Sequence, residues 1–224
     1  MSGQQNRFAA VRVLIFDLDG TLIDSKTDLV HSVNATLRRF GREPLDPELI
    51  SSYVGKGAPA LVRRALGNGF TEQEFNEGLK YFLEYYRGHM LDNTRPYPGV
   101  REALSCLQDR ALAILTNKPV RFSREILQGL GLLGYFRQVY GGNSFERKKP
   151  DPTGVEAILR EADASPPEAM MVGDSEVDIQ TARNAGTWAC GVTYGLGDVS
   201  SPELRPDLLI GNLLDLPAYL HNLV

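Results

Sequence analysis

The sequence has little of what marks several classes of protein. It contains two cysteines, one tryptophan and three histidines among 224 residues, too few cysteines for the disulfide framework of a small secreted domain. No apolar run approaches the ~20 residues needed to cross a bilayer. The formal charge of −4 provides no basic field for nucleic acid. Residues 1–10 are polar and lack the apolar region of a secretory signal.

These absences predict a cytoplasmic protein with neither a membrane nor a nucleic acid as its partner. Its oligomeric state, monomer or homodimer, stays open. The length allows a sizeable core in one or two domains. Cys106 and Cys190 both lie in apolar contexts, so we expect two reduced thiols in the core.

The stretch from Val11 to Asp24 combines an apolar run with two carboxylates. Residues 11–16 are rich in branched side chains and too few for a typical helix, which predicts a buried strand. Asp17 and Asp19 follow where that strand would end. Two neighbouring acids at this position do not help folding, because each must be desolvated or paired. This local cost is the first indication of a functional site.

The pattern from residue 24 to residue 95 is helical. Apolar residues recur at helical spacing after Ser25, and helices are predicted near 49–54 and 59–66. Thr71 with Glu74 has the form of a capping box and opens a long amphipathic helix. We predict that 24–95 is a small helical domain inserted into a core made of 1–23 and 96–224.

After residue 96 strands alternate with helices. The predicted strands are short apolar runs at 111–115, 138–140, 169–172, 188–192 and 207–210. Alternation of this kind is typical of a parallel sheet with helices on both faces. The predicted fold is therefore α/β, with a doubly wound, Rossmann-like parallel sheet and an inserted α-helical domain.

Polar residues follow several of these strands. The carboxyl ends of parallel strands meet at one edge of a sheet, where ligands usually bind. We therefore expect three carboxylates, a hydroxyl and an ammonium around one crevice. The segments are Asp17 to Thr21, Thr116 to Lys118, Lys148 to Pro150 and Gly173 to Asp178.

This set of residues suits phosphoryl transfer. Carboxylates and water are the usual ligands of Mg²⁺, which offsets repulsion between an anionic nucleophile and a phosphate. Asp17 can attack phosphorus to form an acyl phosphate, and Asp19 can serve as general acid and then general base. A turn after Asp17 is required to bring Asp19 to the same side, and Gly20 suits that turn.

The same residues carry a resemblance to the haloacid dehalogenase (HAD) superfamily of Asp-dependent phosphatases, over nearly the whole chain. The helical insertion resembles that superfamily's cap domain of the first type, which selects substrate. Segments 53–58 and 115–119 are similar to those of bacterial phosphoglycolate phosphatases. The four motifs match as Asp17-Leu18-Asp19-Gly20-Thr21, Thr116-Asn117, Lys149 before Pro-Asp-Pro, and Gly173-Asp174-Ser175-Glu176-Val177-Asp178.

The resemblance implies roles for the acidic residues. Asp17 is expected to be the nucleophile and a Mg²⁺ ligand. Asp19 is expected to be the general acid/base and to give its backbone carbonyl to the metal. Asp174 is expected to be a metal ligand, with Asp178 supporting the metal shell.

It also implies how a small phosphorylated metabolite is bound. Thr116, Asn117 and Lys149 are expected to hold the phosphate, although Lys148 is an open alternative to Lys149. Lys56 lies between two glycines and is expected to meet an anionic group beyond the phosphate. The expected activity is Mg²⁺-dependent hydrolysis of 2-phosphoglycolate through an aspartyl-phosphate intermediate.

Several alternatives stay open on the sequence alone. A dehalogenase has no need of Asp19. A phosphonate hydrolase would use Lys56 for a Schiff base, and a phosphosugar mutase would return the phosphoryl group to its product. Hydrolysis of another sugar phosphate, a nucleotide or pyrophosphate shares the same site. A non-catalytic binding protein on this fold is the alternative of another class.

Overall fold

A parallel sheet of six strands forms the centre of the structure, a computed structural model that describes residues 7–221. Residues 1–6 lie outside the described residues. They are part of segment 1–10, which is predicted not to be a secretory signal. The elements in chain order are β1 (Val13–Phe16), β2 (Ile23–Asp24), α1 (Lys26–Arg39), α2 (Pro47–Ser51), α3 (Ala58–Leu66), α4 (Glu72–His89), β3 (Arg95–Pro96), α5 (Val100–Cys106), β4 (Ala111–Leu115), α6 (Val120–Gly129), β5 (Gln138–Tyr140), α7 (Thr153–Glu161), β6 (Ala169–Gly173), α8 (Glu176–Ala185), β7 (Trp188–Val192), β8 (Leu208–Ile210) and α9 (Leu216–Leu220).

The sheet has the strand order β5-β4-β1-β6-β7-β8, and all its pairings are parallel. Strand β1 lies in the middle, between β4 and β6. Val13 is in register with Ala111 on one side and Ala169 on the other. The predicted α/β fold with a doubly wound parallel sheet is confirmed.

Alternation along β1 explains why both faces of the sheet are covered. Leu14 and Phe16 belong to one apolar cluster, whereas Val13 and Ile15 belong to a second. The first cluster includes side chains from α5, α6, α9 and the helical insertion, and the second includes side chains from α7 and α8. All four β1 side chains are fully buried, and burial of each stabilises the fold by about 1.5–3 kcal/mol.

Along the sequence, helices α1 to α4 come after β1 and before β4, which is the next strand of the main sheet in chain order. The predicted capping box of α4 is confirmed, since Thr71 Oγ1 accepts from the Glu74 backbone N–H and Glu74 accepts from that of Thr71. Strands β2 and β3, which the sequence did not predict, pair antiparallel. The two ends of the helical insertion are thereby held side by side.

Some local predictions were wrong. Helix α2 begins at Pro47 and ends at Ser51, earlier than the predicted 49–54. Pro at the first helical position needs no N–H partner, and Asp46 caps the helix by accepting from Glu48 and Leu49.

Two further corrections concern single residues. The pair Asp151-Pro152 predicts Asp151 as the cap of α7, but the N-cap is Pro152, one residue later, and Asp151 instead accepts from the Thr153 backbone N–H in a turn. Cys190 is buried as expected, but Cys106 is exposed at the end of α5, and both thiols are free. Within residues 7–221, the structure contains no helix that combines the length and hydropathy of a bilayer span.

Candidate active site

The central strands bring three polar chain segments together. Asp17 directly follows β1, Thr116 follows β4 and Asp174 follows β6. Because β1 pairs with both β4 and β6 in register, these residues lie side by side at the carboxyl edge of the sheet. All three are buried.

Lys149 joins this edge from the loop before α7. Its Nζ lies 2.8 Å from Oδ1 of Asp17 and 2.6 Å from Oδ1 of Asp178. The contact with Asp178 is a hydrogen bond, whereas that with Asp17 is an ion pair without hydrogen-bond geometry. Lys148, the open alternative, is exposed and donates to the backbone carbonyl of Lys56 at 2.7 Å.

Three carboxylates crowd this lysine. Asp17, Asp174 and Asp178 each offer an oxygen within 4.8 Å of the others, and all three are buried. Burial raises the pKa of Asp17 to about 6, with Lys149 opposing and the charge of Asp178 adding to the shift. Burial, with the charges of Asp178 and Asp17, raises the pKa of Asp174 to about 7. A divalent cation at this point would offset the repulsion among these charges.

The two outer carboxylates differ in how they are held. Asp174 Oδ2 accepts from the backbone N–H groups of Leu196 and Gly197, both at 2.8 Å. Asp178 already accepts from Lys149 through Oδ1 and from the Ser175 hydroxyl through Oδ2. The expected supporting role of Asp178 fits these partners and remains a prediction.

Gly20 makes the turn that the sequence required between Asp17 and Asp19. Its φ is +84°, and a Cβ there would lie 2.1 Å from Oδ2 of Asp174. Only glycine therefore fits without displacing Asp174. Asp17 and Asp19 consequently line the same cavity.

Asp19 is held by two groups from different parts of the chain. The Ser25 hydroxyl donates to its Oδ1 at 2.6 Å, and Lys118 Nζ lies 2.8 Å from both carboxylate oxygens. Lys118 stands in the polar segment after β4, but the sequence suggested no role for it. One sequence feature could have pointed to Lys118. It lies between a buried strand and a helix, where an unpaired ammonium would be costly.

The predicted binding residues are placed differently from one another. Thr116 is buried and lines the cavity. Asn117 also lines it, but its Nδ2 donates to the backbone carbonyls of Gly55 at 2.9 Å and Lys149 at 3.1 Å. The Lys56 side chain is exposed and is not among the cavity residues. The expectation that Lys56 meets the far end of the substrate therefore has no support from its position.

The cavity lies between the strand ends and the helical insertion. It encloses about 540 Å³ of empty space including its mouth, within the range of small-molecule sites. Its other walls are mainly apolar side chains from α1, α3, α4 and α6, among them Leu29, Leu61, Phe82, Tyr86 and Phe122.

Comparison with known proteins identifies the family. The model of the family described as haloacid dehalogenase-like hydrolase matches residues 14–192. The chain is 39% identical over 214 residues to phosphoglycolate phosphatase 1 of Pseudomonas aeruginosa, covering 92% of this chain and 78% of that protein. It is 38% identical over 216 residues to phosphoglycolate phosphatase of Neisseria meningitidis, covering 92% of each.

A solved structure leads to the same family. The crystal structure of a predicted phosphoglycolate phosphatase from Haemophilus somnus has a TM-score of 0.87 and 31% identity, covering 96% of this chain and 98% of that one. The family match spans most of the chain, and the matched region contains Asp17, Thr116, Lys149 and Asp174. The chain belongs to the haloacid dehalogenase-like hydrolase family and is a phosphatase of that family.

Proposed function

We propose that this protein is a Mg²⁺-dependent phosphatase that hydrolyses 2-phosphoglycolate through an aspartyl-phosphate intermediate. One observation carries the proposal: Asp17 lies at the end of β1, 2.8 Å from Lys149 and within 4.8 Å of oxygens of Asp174 and Asp178, and it lines a small, mostly apolar cavity. The names of the relatives support the choice of substrate. The cytoplasm is the proposed location.

The residues present fit a bound Mg²⁺. Asp17 and Asp174 are buried acids whose pKa values are raised by burial and by neighbouring negative charge, so a cation would stabilise their ionised forms. Asp17 Oδ1 makes no hydrogen bond among the described residues. When bound, the metal supplies positive charge between nucleophile and phosphate.

In the proposed reaction Asp17 attacks phosphorus and the bond to the leaving oxygen breaks. Asp19, lining the same cavity, gives its proton to that oxygen, and glycolate leaves. Asp19 then takes a proton from water, which attacks the acyl phosphate and releases inorganic phosphate. In this proposal Lys149 and the Thr116 hydroxyl bind the phosphate oxygens during both steps.

The test is release of inorganic phosphate from a panel of esters by the purified chain. We expect 2-phosphoglycolate to have the highest kcat/KM, with activity lost in EDTA and restored by Mg²⁺. Preference for a sugar phosphate, a nucleotide or pyrophosphate would replace the proposed substrate. Release from no ester, alongside binding of a phosphorylated ligand, would indicate the non-catalytic alternative.

A variant of Asp17 tests the mechanism separately. Asp17→Asn keeps the size of the side chain but removes the nucleophile. We expect kcat to fall at least ~1000-fold, with circular dichroism and the melting curve still those of a folded protein. Near-normal turnover in this variant would disprove the aspartyl-phosphate route.

A further inference from the structure

Lys118 occupies an unusual place in the cavity. The charged side chains that line it, among the described residues, are Asp17, Asp19 and Lys118. Lys118 is therefore the one cation on the cavity wall in the part of the chain that the structure describes. It is 7% exposed, which is far less than a surface lysine. A buried ammonium in a largely apolar pocket needs a counter-charge.

In this structure Asp19 supplies that counter-charge. Burial lowers the pKa of Lys118, but the Asp19 carboxylate and Tyr86 outweigh it and raise the pKa overall, so the side chain is positively charged. Its Nζ is 2.8 Å from each oxygen of Asp19. Asp19, however, is the residue proposed to give a proton to the leaving oxygen. The leaving oxygen therefore comes close to Lys118, and an anionic group of the substrate beside that oxygen can pair with the Lys118 ammonium.

Tyr86 of α4 presents a second polar group at the same point. Lys118 Nζ lies 4.7 Å from the centroid of its ring. Tyr86 is 2% exposed, and its hydroxyl proton has no acceptor among the described residues. Burial raises the pKa of Tyr86 to about 12, so the hydroxyl remains a donor at neutral pH. A buried donor without a partner is costly unless a ligand accepts from it.

We propose that Lys118 and the Tyr86 hydroxyl bind the carboxylate of the substrate, and that Lys118 thereby makes turnover depend on an anionic group beside the scissile ester. The inference rests on the proposed function, because it takes Asp19 to be the proton donor. The leaving oxygen must approach Asp19, and Lys118 is in hydrogen-bond contact with Asp19. In 2-phosphoglycolate the carboxylate is attached to the carbon that carries the leaving oxygen, which places it within reach of Lys118.

This arrangement distinguishes substrates by charge. A carboxylate that pairs with Lys118 replaces Asp19 as its counter-ion and leaves Asp19 free to move its proton. Ethyl phosphate has the same two carbons but a methyl group in place of the carboxylate. Its binding leaves either Lys118 unpaired or Asp19 engaged with Lys118, and both outcomes slow the reaction. Lys118 is thus a specificity-determining residue, and Tyr86 contributes from the helical insertion.

The test compares kcat/KM for 2-phosphoglycolate and ethyl phosphate with Mg²⁺ present. We expect the wild type to prefer 2-phosphoglycolate by about 1000-fold, in line with sites whose polar groups are left unpaired by the wrong substrate. In Lys118→Met we expect the preference for 2-phosphoglycolate to be about 10-fold or less. In Tyr86→Phe the preference should be about 10 times smaller than in the wild type. Lys80→Met is the matched control, because Lys80 is an exposed lysine with a side chain 78% accessible, and it should keep the wild-type ratio.

A binding measurement keeps the test decisive if Lys118→Met has no turnover. Calorimetry with 3-phosphonopropionate and with propylphosphonate compares a carboxylate with a methyl group on the same chain length. The wild type should bind the first at least ~10-fold more tightly, and Lys118→Met should bind both equally. Two results together would overturn the proposal. Lys118→Met would lose activity toward 2-phosphoglycolate and ethyl phosphate equally, and it would keep the wild-type ratio of affinities for 3-phosphonopropionate and propylphosphonate.

The two proposals fail in different ways. A wild type that hydrolyses 2-phosphoglycolate and ethyl phosphate equally well would refute the role of Lys118 while leaving the phosphatase function intact. A wild type that releases phosphate from no ester would refute the proposed function, and the role of Lys118 in turnover would fall with it.

Discussion

The Nζ of Lys149 lies 2.6 Å from Oδ1 of Asp178, and their side chains are only 2% and 1% exposed. Burial lowers the pKa of Lys149, but the charges of Asp17 and Asp178 outweigh this and raise it. The ammonium is therefore charged and compensates the acids around it. Removal of one partner from a buried pair costs about 3–5 kcal/mol, because the other charge is left uncompensated.

This pair predicts that Lys149→Met is impaired in both stability and activity. The free energy of unfolding without metal should fall by about 3–5 kcal/mol. Because Lys149 is also proposed to bind phosphate, kcat should fall at least ~100-fold. Urea unfolding and phosphate release from 2-phosphoglycolate measure the two effects.

The neighbouring Lys148 gives a matched control for that experiment. It is exposed, and its Nζ contacts only the Lys56 carbonyl among the hydrogen bonds of the described residues. Lys148→Met should therefore change stability by no more than about 0.5 kcal/mol and kcat by less than about 5-fold. The reverse result, with Lys148→Met inactive and Lys149→Met active, would assign the phosphate contact to Lys148.

The sequence predicted those residues of the site whose positions are fixed by the end of a strand. Asp17, Thr116 and Asp174 come directly after buried apolar runs, and strand ends in a parallel sheet share one edge. Their convergence therefore follows once those runs are recognised. The exposure of Cys106 was not predictable in the same way, because local apolar neighbours do not fix which side of a short helix faces the core.

Contacts between distant segments were beyond the sequence. The ion pair between Lys118 and Asp19 joins residues 99 positions apart, and the meeting of Tyr86 with Lys118 depends on how α4 lies over the sheet. Strands β2 and β3 have two residues each, so they present no alternation to detect. Their pairing joins residues more than 70 positions apart, Ile23 with Pro96 and Asp24 with Arg95.

The acidic cluster predicts that stability without metal depends on pH in the opposite sense to an ordinary paired carboxylate. The pKa values of Asp17 and Asp174 are raised from 3.8 to about 6 and about 7. The folded protein thus binds these protons more tightly than the unfolded chain. The contribution is most favourable below 3.8 and is lost as the pH rises to about 7.

We therefore expect the free energy of unfolding of the metal-free protein to decrease between about pH 5 and about pH 7.5. Mg²⁺ should stabilise the protein more at the upper pH, where the carboxylates are ionised and can bind it. Asp174→Asn should show a shallower pH dependence and a smaller response to Mg²⁺. Urea unfolding with EDTA or Mg²⁺ measures both. If the unfolding free energy of the metal-free wild type and of Asp174→Asn changed equally with pH, the pH dependence would not come from this cluster.

A buried carboxylate outside the acidic cluster, Asp28 of α1, holds the returning end of the helical insertion. Its Oδ2 accepts from the Thr94 backbone N–H and hydroxyl, both at 2.8 Å, and its Oδ1 accepts from the Asn93 side-chain amide at 2.9 Å. Burial raises the pKa of Asp28, but the hydrogen bonds from Asn93 and Thr94 outweigh it and lower the pKa. Its stabilising contribution is therefore present above 3.8 and is lost as the pH falls through the lowered value.

Asp28→Asn should lose about 2–4 kcal/mol of unfolding free energy, because an amide replaces one accepting oxygen by a donor that faces other donors. Thr94→Val removes only the hydroxyl bond and should lose about 1 kcal/mol. Urea unfolding at neutral pH compares the variants, and repetition at about pH 3 should narrow the gap between Asp28→Asn and the wild type. Since Asp28 lies outside the cavity lining, kcat should change far less than stability. A variant with wild-type stability would show that β2 and β3 alone hold the two ends together.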